Sequence, residues 1–221
     1  MNPLMDVINE GPSTMAAVRL VTLFTVLSFL PALILCATSF TRSIIVLSFL
    51  RQSIGAPQLP PNPVLIALAF AITFFVMGDT AAQAWKDGVS PYLDGKLTQI
   101  EAGERTYEPF RVFMSQQVRR SELDVMLQAA HLPVDTALED LPARVLLPAY
   151  LLSELTTAFT IGMYVMVPFL LIDLMVATLL MSMGMAMVPP TVVALPLKVG
   201  VFVLADGWTL VVRGLISSFG V

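Results

Sequence analysis

Four long apolar stretches, broken by a single block of charge, constrain this chain more than any other feature. They run roughly from Ala16 to Phe40, Pro63 to Trp85, Val145 to Met183 and Thr191 to Ile216. Between the second and third lies a block of 59 residues, Lys86 to Arg144, carrying 7 of the 12 basic and 10 of the 16 acidic side chains. A bilayer core about 30 Å thick takes roughly 20 helical residues. The first, second and fourth stretches each fit one crossing. The third is nearly twice as long and contains Pro148, Gly162 and Pro168. It predicts two shorter helices or one strongly kinked one.

The chain is therefore expected to be an all-α integral membrane protein of helical hairpins with a small helical extramembrane module. Its expected divisions are 1–85, apolar helices with a short basic loop; 86–144, the soluble module; and 145–221, apolar helices with a methionine-rich loop. Composition agrees: 57% of the residues are hydrophobic and 13% charged, against about 25% charged in a typical soluble domain. A net charge of −4 leaves no electrostatic footprint for nucleic acid.

Orientation follows from the short loops. Thr41 to Asn62 carries Arg42 and Arg51 and no acid, whereas the first fifteen residues carry Asp6 and Glu10 and no base. The positive-inside rule puts that loop in the cytoplasm and the charged module outside, in the periplasm if the cell is Gram-negative. The acidic start and the length of the first apolar stretch predict a retained segment rather than a signal peptide.

Within the module, Phe110, Phe113, Met114 and Val118 recur at helical spacing. Leu123, Met126, Leu127 and Ala130 do so after a helix start near Ser121. A further short turn or helix fits Val134 to Leu141, and nothing there reads as a strand.

No phosphate loop, dinucleotide fingerprint, zinc-protease or serine-hydrolase motif is present. One cysteine, Cys36, and one histidine, His131, exclude a disulfide framework and give no metal set. His131, beside Leu132-Pro133, reads as a helix-terminal residue rather than a catalyst. The expectation is a protein without catalysis, metal or cofactor.

Ionisable residues inside apolar stretches carry more information, because each is costly in lipid and usually has a partner. They are Arg19, Asp79, Glu154, Asp173, Lys198, Asp206 and Arg213. Glu154 and Lys198 have opposite sign and no complement three or four positions away. Their partners are expected on another helix or another subunit, as a structural ion pair rather than a proton relay. Asp206-Gly-Trp208 reads as an interfacial anchor. Ala67 to Ala71 and Ala158 to Gly162 offer small-x-x-x-small faces for close helix packing.

Met181, Met183, Met185 and Met187 alternate around Gly184 ahead of Pro189-Pro190. Glycine and the double proline predict that a helix ends here and a loop follows. Methionine fills membrane cores, but it is also flexible enough to close irregular gaps and re-pack.

At this point the sequence resembles a known family. Thr38-Ser-Phe-Thr-Arg-Ser-Ile-Ile-Val46, Arg51-Gln-Ser-Ile-Gly55 to Pro60-Pro-Asn62, Leu146-Leu-Pro-Ala-Tyr-Leu-Leu-Ser-Glu154 and Pro168-Phe-Leu-Leu-Ile-Asp173 resemble the FliP family of flagellar export-gate proteins. Gly184 to Pro190, Leu195-Pro-Leu-Lys198 and Val203-Leu-Ala-Asp-Gly-Trp208 complete the match. The resemblance implies a pore-forming subunit of the type III secretion export gate in the bacterial inner membrane, at the flagellar basal body. It implies a homo-oligomer, typically a pentamer, that assembles with FliQ and FliR into a helical, closed conduit. FlhB and FlhA would be further partners, and unfolded flagellar subunits the cargo.

The family's methionine gasket maps onto Met185, Ala186 and Met187, and its intersubunit charge pair onto Glu154 and Lys198. The family usually has three consecutive methionines, whereas the middle position here is Ala186; Met181 and Met183 stand ready to compensate. Assembled members also lift much of their apolar helix out of the bilayer. The injectisome homologue of the SctR type shares this fold and mechanism. A proton-coupled transporter would instead need Glu154, Asp173 or Asp206 to titrate, and no internal repeat supports one.

Overall fold

The computed structural model describes Val21, Phe24, Thr25, Ser28 and residues 35–56, 58–185 and 187–220. The chain divides into two units, Met1–Cys36 and Ala37–Val221. In the first unit, the hydroxyls of Thr25 and Ser28 donate to the carbonyls of Val21 and Phe24, one helical turn back. Most of the first apolar stretch, Arg19 included, lies outside the described residues, so its expected crossing does too.

The second unit is helical throughout, and its described residues contain no strand. Helix α1 (Phe40–Ile54) leads into α2 (Asn62–Val76) and α3 (Gly78–Ala84). A wide π-type turn at Trp85–Val89 and the short α4 (Ser90–Leu93) follow. Helices α5 (Gln99–Gln117) and α6 (Arg120–Ala129) and a turn of 3-10 helix at Leu138–Asp140 make up most of the charged block. The long α7 (Ala143–Ser182), α8 (Pro190–Leu204) and α9 (Gly207–Ser217) complete the chain.

Helix α1 departs from the expectation of a short basic loop. It is a central element, packed along α7, with Val46, Leu47, Leu50 and Ile54 buried. Arg42 lies inside this helix at 2% exposure, neutralised by a carboxylate. A paired guanidinium can be buried where a free one cannot. The same pairing removes Arg42 from the free positive charge used to orient the chain.

The third apolar stretch is one helix rather than two. Its 40 residues run through Pro148 and Pro168 without a break and span about 60 Å at 1.5 Å per residue. It is the one described helix long and apolar enough to cross a membrane by itself. The second and fourth stretches are broken: α2 meets the helical run Gly78–Leu93, and α8 meets α9, each at 64°. If each bent pair is one span, the described residues hold up to three.

Close contact between α1 and α7 depends on the small face read from the sequence. Ala158 and Gly162 are both buried, and a Cβ added at Gly162 would lie 2.7 Å from the ring of Phe49 on α1. Ala67 and Ala71, by contrast, are exposed in the single chain. Gly162→Ala is expected to lower stability by about 1–3 kcal/mol through overpacking. Thermal unfolding of the purified protein in detergent would measure this, and an unchanged midpoint would refute the close approach.

The charged block folds as the periodicity predicts. Helices α5 and α6 bury Phe113, Met114, Leu123 and Leu127, with Phe110 and Met126 half-buried, against α7. At the foot of α5 the Glu101 carboxylate accepts from the Thr98 N–H (2.9 Å), while the Thr98 hydroxyl accepts from the Glu101 N–H (3.4 Å). The Thr98 N–H holds the Glu101 carboxyl below its ordinary value, and hydrogen bonds from Arg111 do the same for Glu108. Both groups are therefore stronger acids folded than unfolded.

Their contribution is complete above the ordinary value of 4.5 and is lost as pH falls through the lowered folded-state values. Helicity of the module should weaken on acidification below that range, and Glu101→Gln should flatten the loss. Circular dichroism of the full chain across pH 7 to 3 checks this; an identical titration in the variant would refute it.

The single histidine closes α6. His131 takes a left-handed φ of 55°, and the Leu132 N–H returns to the Leu127 carbonyl at 3.0 Å. This is the helix-end role expected of it.

Candidate functional site

The methionine run occupies the tip of the α7–α8 hairpin. Helix α7 stops because Gly184 adopts φ 76°, a conformation glycine enters without steric cost. The Gly184 N–H donates to the Met181 carbonyl (3.1 Å) and the Met185 N–H to the Leu180 carbonyl (2.9 Å). This double closure is a Schellman end. Pro189 and Pro190 then start α8, where a missing N–H costs nothing. The expected loop is therefore present, set by local sequence alone.

Met181, Met183, Met185 and Met187 are all exposed in the single chain, Met187 at 98%. Ala186, the central residue of the expected gasket, lies outside the described residues. The end of α7 and the turn after it present four unbranched, polarizable side chains to their surroundings, and none of the four belongs to the buried core. This surface is available to a neighbour or to a closing ring of copies.

Behind this tip lie two ion pairs, one fully buried between α1 and α7 and one half-buried between α7 and α8. Glu154 and Lys198 do not meet within the chain; each has another partner. The Glu154 carboxylate receives a bidentate contact from Arg42, with Nη2 to Oε1 at 2.5 Å and Nε to Oε2 at 2.9 Å. The remaining donors of the guanidinium reach the Ser218 carbonyl (2.8 Å), the Ser218 hydroxyl (3.0 Å) and Gln117 Oε1 (3.2 Å). All five N–H groups are thus engaged, and the Arg42 Cζ sits 3.8 Å above the Phe219 ring centroid. One side chain joins α1, the end of α5, the middle of α7 and the chain's last turn. Glu154 is 0% exposed, so in this arrangement it offers no surface to another subunit.

Lys198, on α8, reaches Asp173 on α7 at 2.5 Å and the Ser53 carbonyl at the end of α1 at 3.1 Å. The ammonium thereby neutralises an intramembrane acid and caps the negative end of α1. Asp173 was expected to be one more intramembrane polar group, and the fold gives it this cation. Asp206 takes φ 50° in the turn between α8 and α9, a strained position that aspartate tolerates. Gly207 beside it has no room for a side chain: an added Cβ would stand 2.2 Å from the Phe202 ring. Trp208 packs edge-on against the same ring, centroids 5.3 Å apart.

Arg42 is the residue that sequence reasoning misplaced. It was counted as a loop charge, whereas it is the most connected polar side chain of the fold. The available signal was its neighbourhood: all of the next eight residues are serine or aliphatic and aromatic side chains suited to a buried helix, and none is acidic. The middle module is fixed to α7 by a related contact missed in the sequence. The Arg119 N–H donates to the Ser153 hydroxyl (2.9 Å) and its Nε to Thr157 (3.1 Å). Among the described residues, no group of three or more His, Cys, Asp or Glu side chains could hold a metal ion.

The chain matches the FliP family model over residues 23–215. It is 41% identical to the flagellar biosynthetic protein FliP of Bacillus subtilis (strain 168), over 99% of this chain and all of that protein. It is 46% identical to that of Pectobacterium carotovorum subsp. carotovorum, over 96% of this chain and 82% of the relative. With that of Aquifex aeolicus (strain VF5) it shares 41% identity, over 98% and 91%. The match takes in α1, the charged block and the entire α7–α8 hairpin, and with them both ion pairs and the methionine turn: the chain belongs to the FliP family.

Proposed function

We propose that this chain is a pore-forming subunit of the flagellar type III protein export gate. The observation that carries the reading is the rigid α7–α8 hairpin ending in an exposed turn of four methionines. In a ring of copies, typically five in this family, the turns would converge on the axis. Met185, Ala186 and Met187, backed by Met181 and Met183, would then close the conduit by hydrophobic contact. Methionine suits this task because it can part for an unfolded chain and re-pack behind it.

The ring would assemble with FliQ- and FliR-type subunits, sit beside FlhB- and FlhA-type proteins in the inner membrane, and pass unfolded flagellar subunits. The flagellar names of the relatives favour this system over the injectisome one. The proposed role has no catalytic step: the buried charged groups, Arg42, Glu154 and Lys198, are each held in an ion pair. The same neutralisation weighs against a proton-coupled transporter, since Glu154 and Asp173 each hold a cation.

Purification of the native complex tests the assembly. The chain is expected in a particle of several copies with two small apolar proteins, and a stable monomer in mild detergent would contradict the reading. Topology is tested separately. With Cys36→Ser as background, Asp135→Cys in the charged block should react with a membrane-impermeant maleimide added to the periplasmic face. Protection there, with labelling only after the cells are opened, would reverse the orientation.

A further inference from the structure

The pairing of intramembrane charges leaves one cation over. Of the ionisable residues in the described apolar stretches, Glu154, Asp173 and Lys198 have charged partners within the chain, whereas Asp79 and Asp206 have no ion pair among the described residues and leave Arg213 as the unpaired cation. Arg213, on α9, has no hydrogen bond or ion pair among the described residues and is exposed. An arginine within an apolar segment needs an anion or water, so what surrounds it decides which.

Helix α9 sorts its residues into four stripes at four-residue spacing, of which Leu210 and Gly214 form one facing away from the groove described below. Gly207, Val211 and Leu215 face the core. Trp208, Val212 and Ile216 form an apolar stripe beside them, and Thr209, Arg213 and Ser217 a polar one. The second and third stripes, with Leu68 of α2, line an open groove of about 640 Å³. The groove is mostly apolar and carries a single positive charge at its rim. Its helix turns away from α8 by 64° and begins with an indole. An amphipathic helix with a tryptophan at one end and an arginine on its polar face is suited to lie at the level of lipid headgroups.

We propose that the groove between α2 and α9 is a binding site for one anionic phospholipid. The Arg213 guanidinium takes the phosphate, with the hydroxyl stripe alongside. Leu68, Val212 and Ile216 take the first part of an acyl chain. A partner protein's carboxylate would also satisfy Arg213, and the experiment below separates the two; a lone anion such as free phosphate would leave the apolar wall and its open volume unfilled.

The purified native complex is delipidated, titrated with phosphatidylglycerol or phosphatidylcholine, and read by native mass spectrometry. Phosphatidylglycerol should be retained preferentially, and Arg213→Gln should lower that retention about fivefold, the factor for one arginine at an anionic surface. Arg213→Lys should keep most of the preference. Leu68→Trp, which fills the groove without touching the charge, should reduce retention of both lipids. Equal retention of the two lipids would overturn the site, and so would displacement of phosphatidylglycerol by inorganic phosphate. It would equally be overturned if Arg213→Gln left lipid retention unchanged while breaking the complex apart, which would identify a protein carboxylate as the partner.

Discussion

Arg42→Ala is expected to destabilise the folded chain by about 3–5 kcal/mol, the cost of stranding one member of a buried ion pair. That is a large share of the 5–15 kcal/mol that typically holds a domain together. The substitution removes five hydrogen bonds at once and leaves the Glu154 carboxylate enclosed without a cation. It also frees the last turn of the chain, because Ser218 and Phe219 lose their contact with α1. Steady-state abundance should fall steeply, and limited proteolysis should reach the C-terminal turn. Arg42→Leu combined with Glu154→Leu should be less damaging than either single change, since it strands no charge. Should the double variant prove as unstable as Arg42→Ala, the Gln117 and Ser218 contacts would be the larger part of the node. A native melting midpoint in Arg42→Ala would refute the role of the pair altogether.

The second large effect concerns the methionine turn and bears on permeability rather than stability. Met185→Gly with Met187→Gly leaves α7 and α8 untouched, because both side chains are exposed and contribute nothing to the core. The fold should therefore melt as the native protein does. In the proposed ring, however, removing two apolar side chains per copy would take away the material that excludes water from the axis. Proteoliposomes or cells carrying the variant complex are expected to pass small ions under conditions in which the native complex is closed. Replacing Ala186 with methionine should tighten the barrier or leave it unchanged. Ion impermeability in the double glycine variant, with the complex intact, would count decisively against a methionine seal.

These two predictions differ in how far the sequence alone could have led to them. The methionine turn was legible because its causes are local. Gly184 and Pro189-Pro190 dictate where one helix ends and the next begins, and the exposed methionines follow from that break. The helices of the charged block were legible for a similar reason, since Phe113, Met114, Leu123 and Leu127 repeat at the helical period. His131 at the end of α6 belongs with them.

The long-range pairing was not legible. Arg42 and Glu154 stand 112 positions apart, and no pattern within a helix's reach connects them. The sequence offered Lys198 as a partner of opposite sign. Within one chain, Lys198 meets Asp173 and the end of α1. The continuity of α7 was only half legible, because two shorter helices and one kinked helix fitted the run equally well. Two prolines in an apolar run argue locally for a break, yet the helix passes through both, packed along α1 over Ala149, Tyr150, Ala158 and Gly162.

By itself the sequence determined an all-helical, membrane-directed chain with a charged helical insert and a methionine turn between two apolar helices. Each of those properties rests on spacing, propensity or transfer energy, which act over a few neighbouring residues. Only the tertiary structure decided which charge neutralises which, that α1 is a buried helix rather than a basic loop, and that Arg213 is left over. Electrostatic pairing in a low-dielectric interior depends on distances through space, and these exist only once the helices have packed.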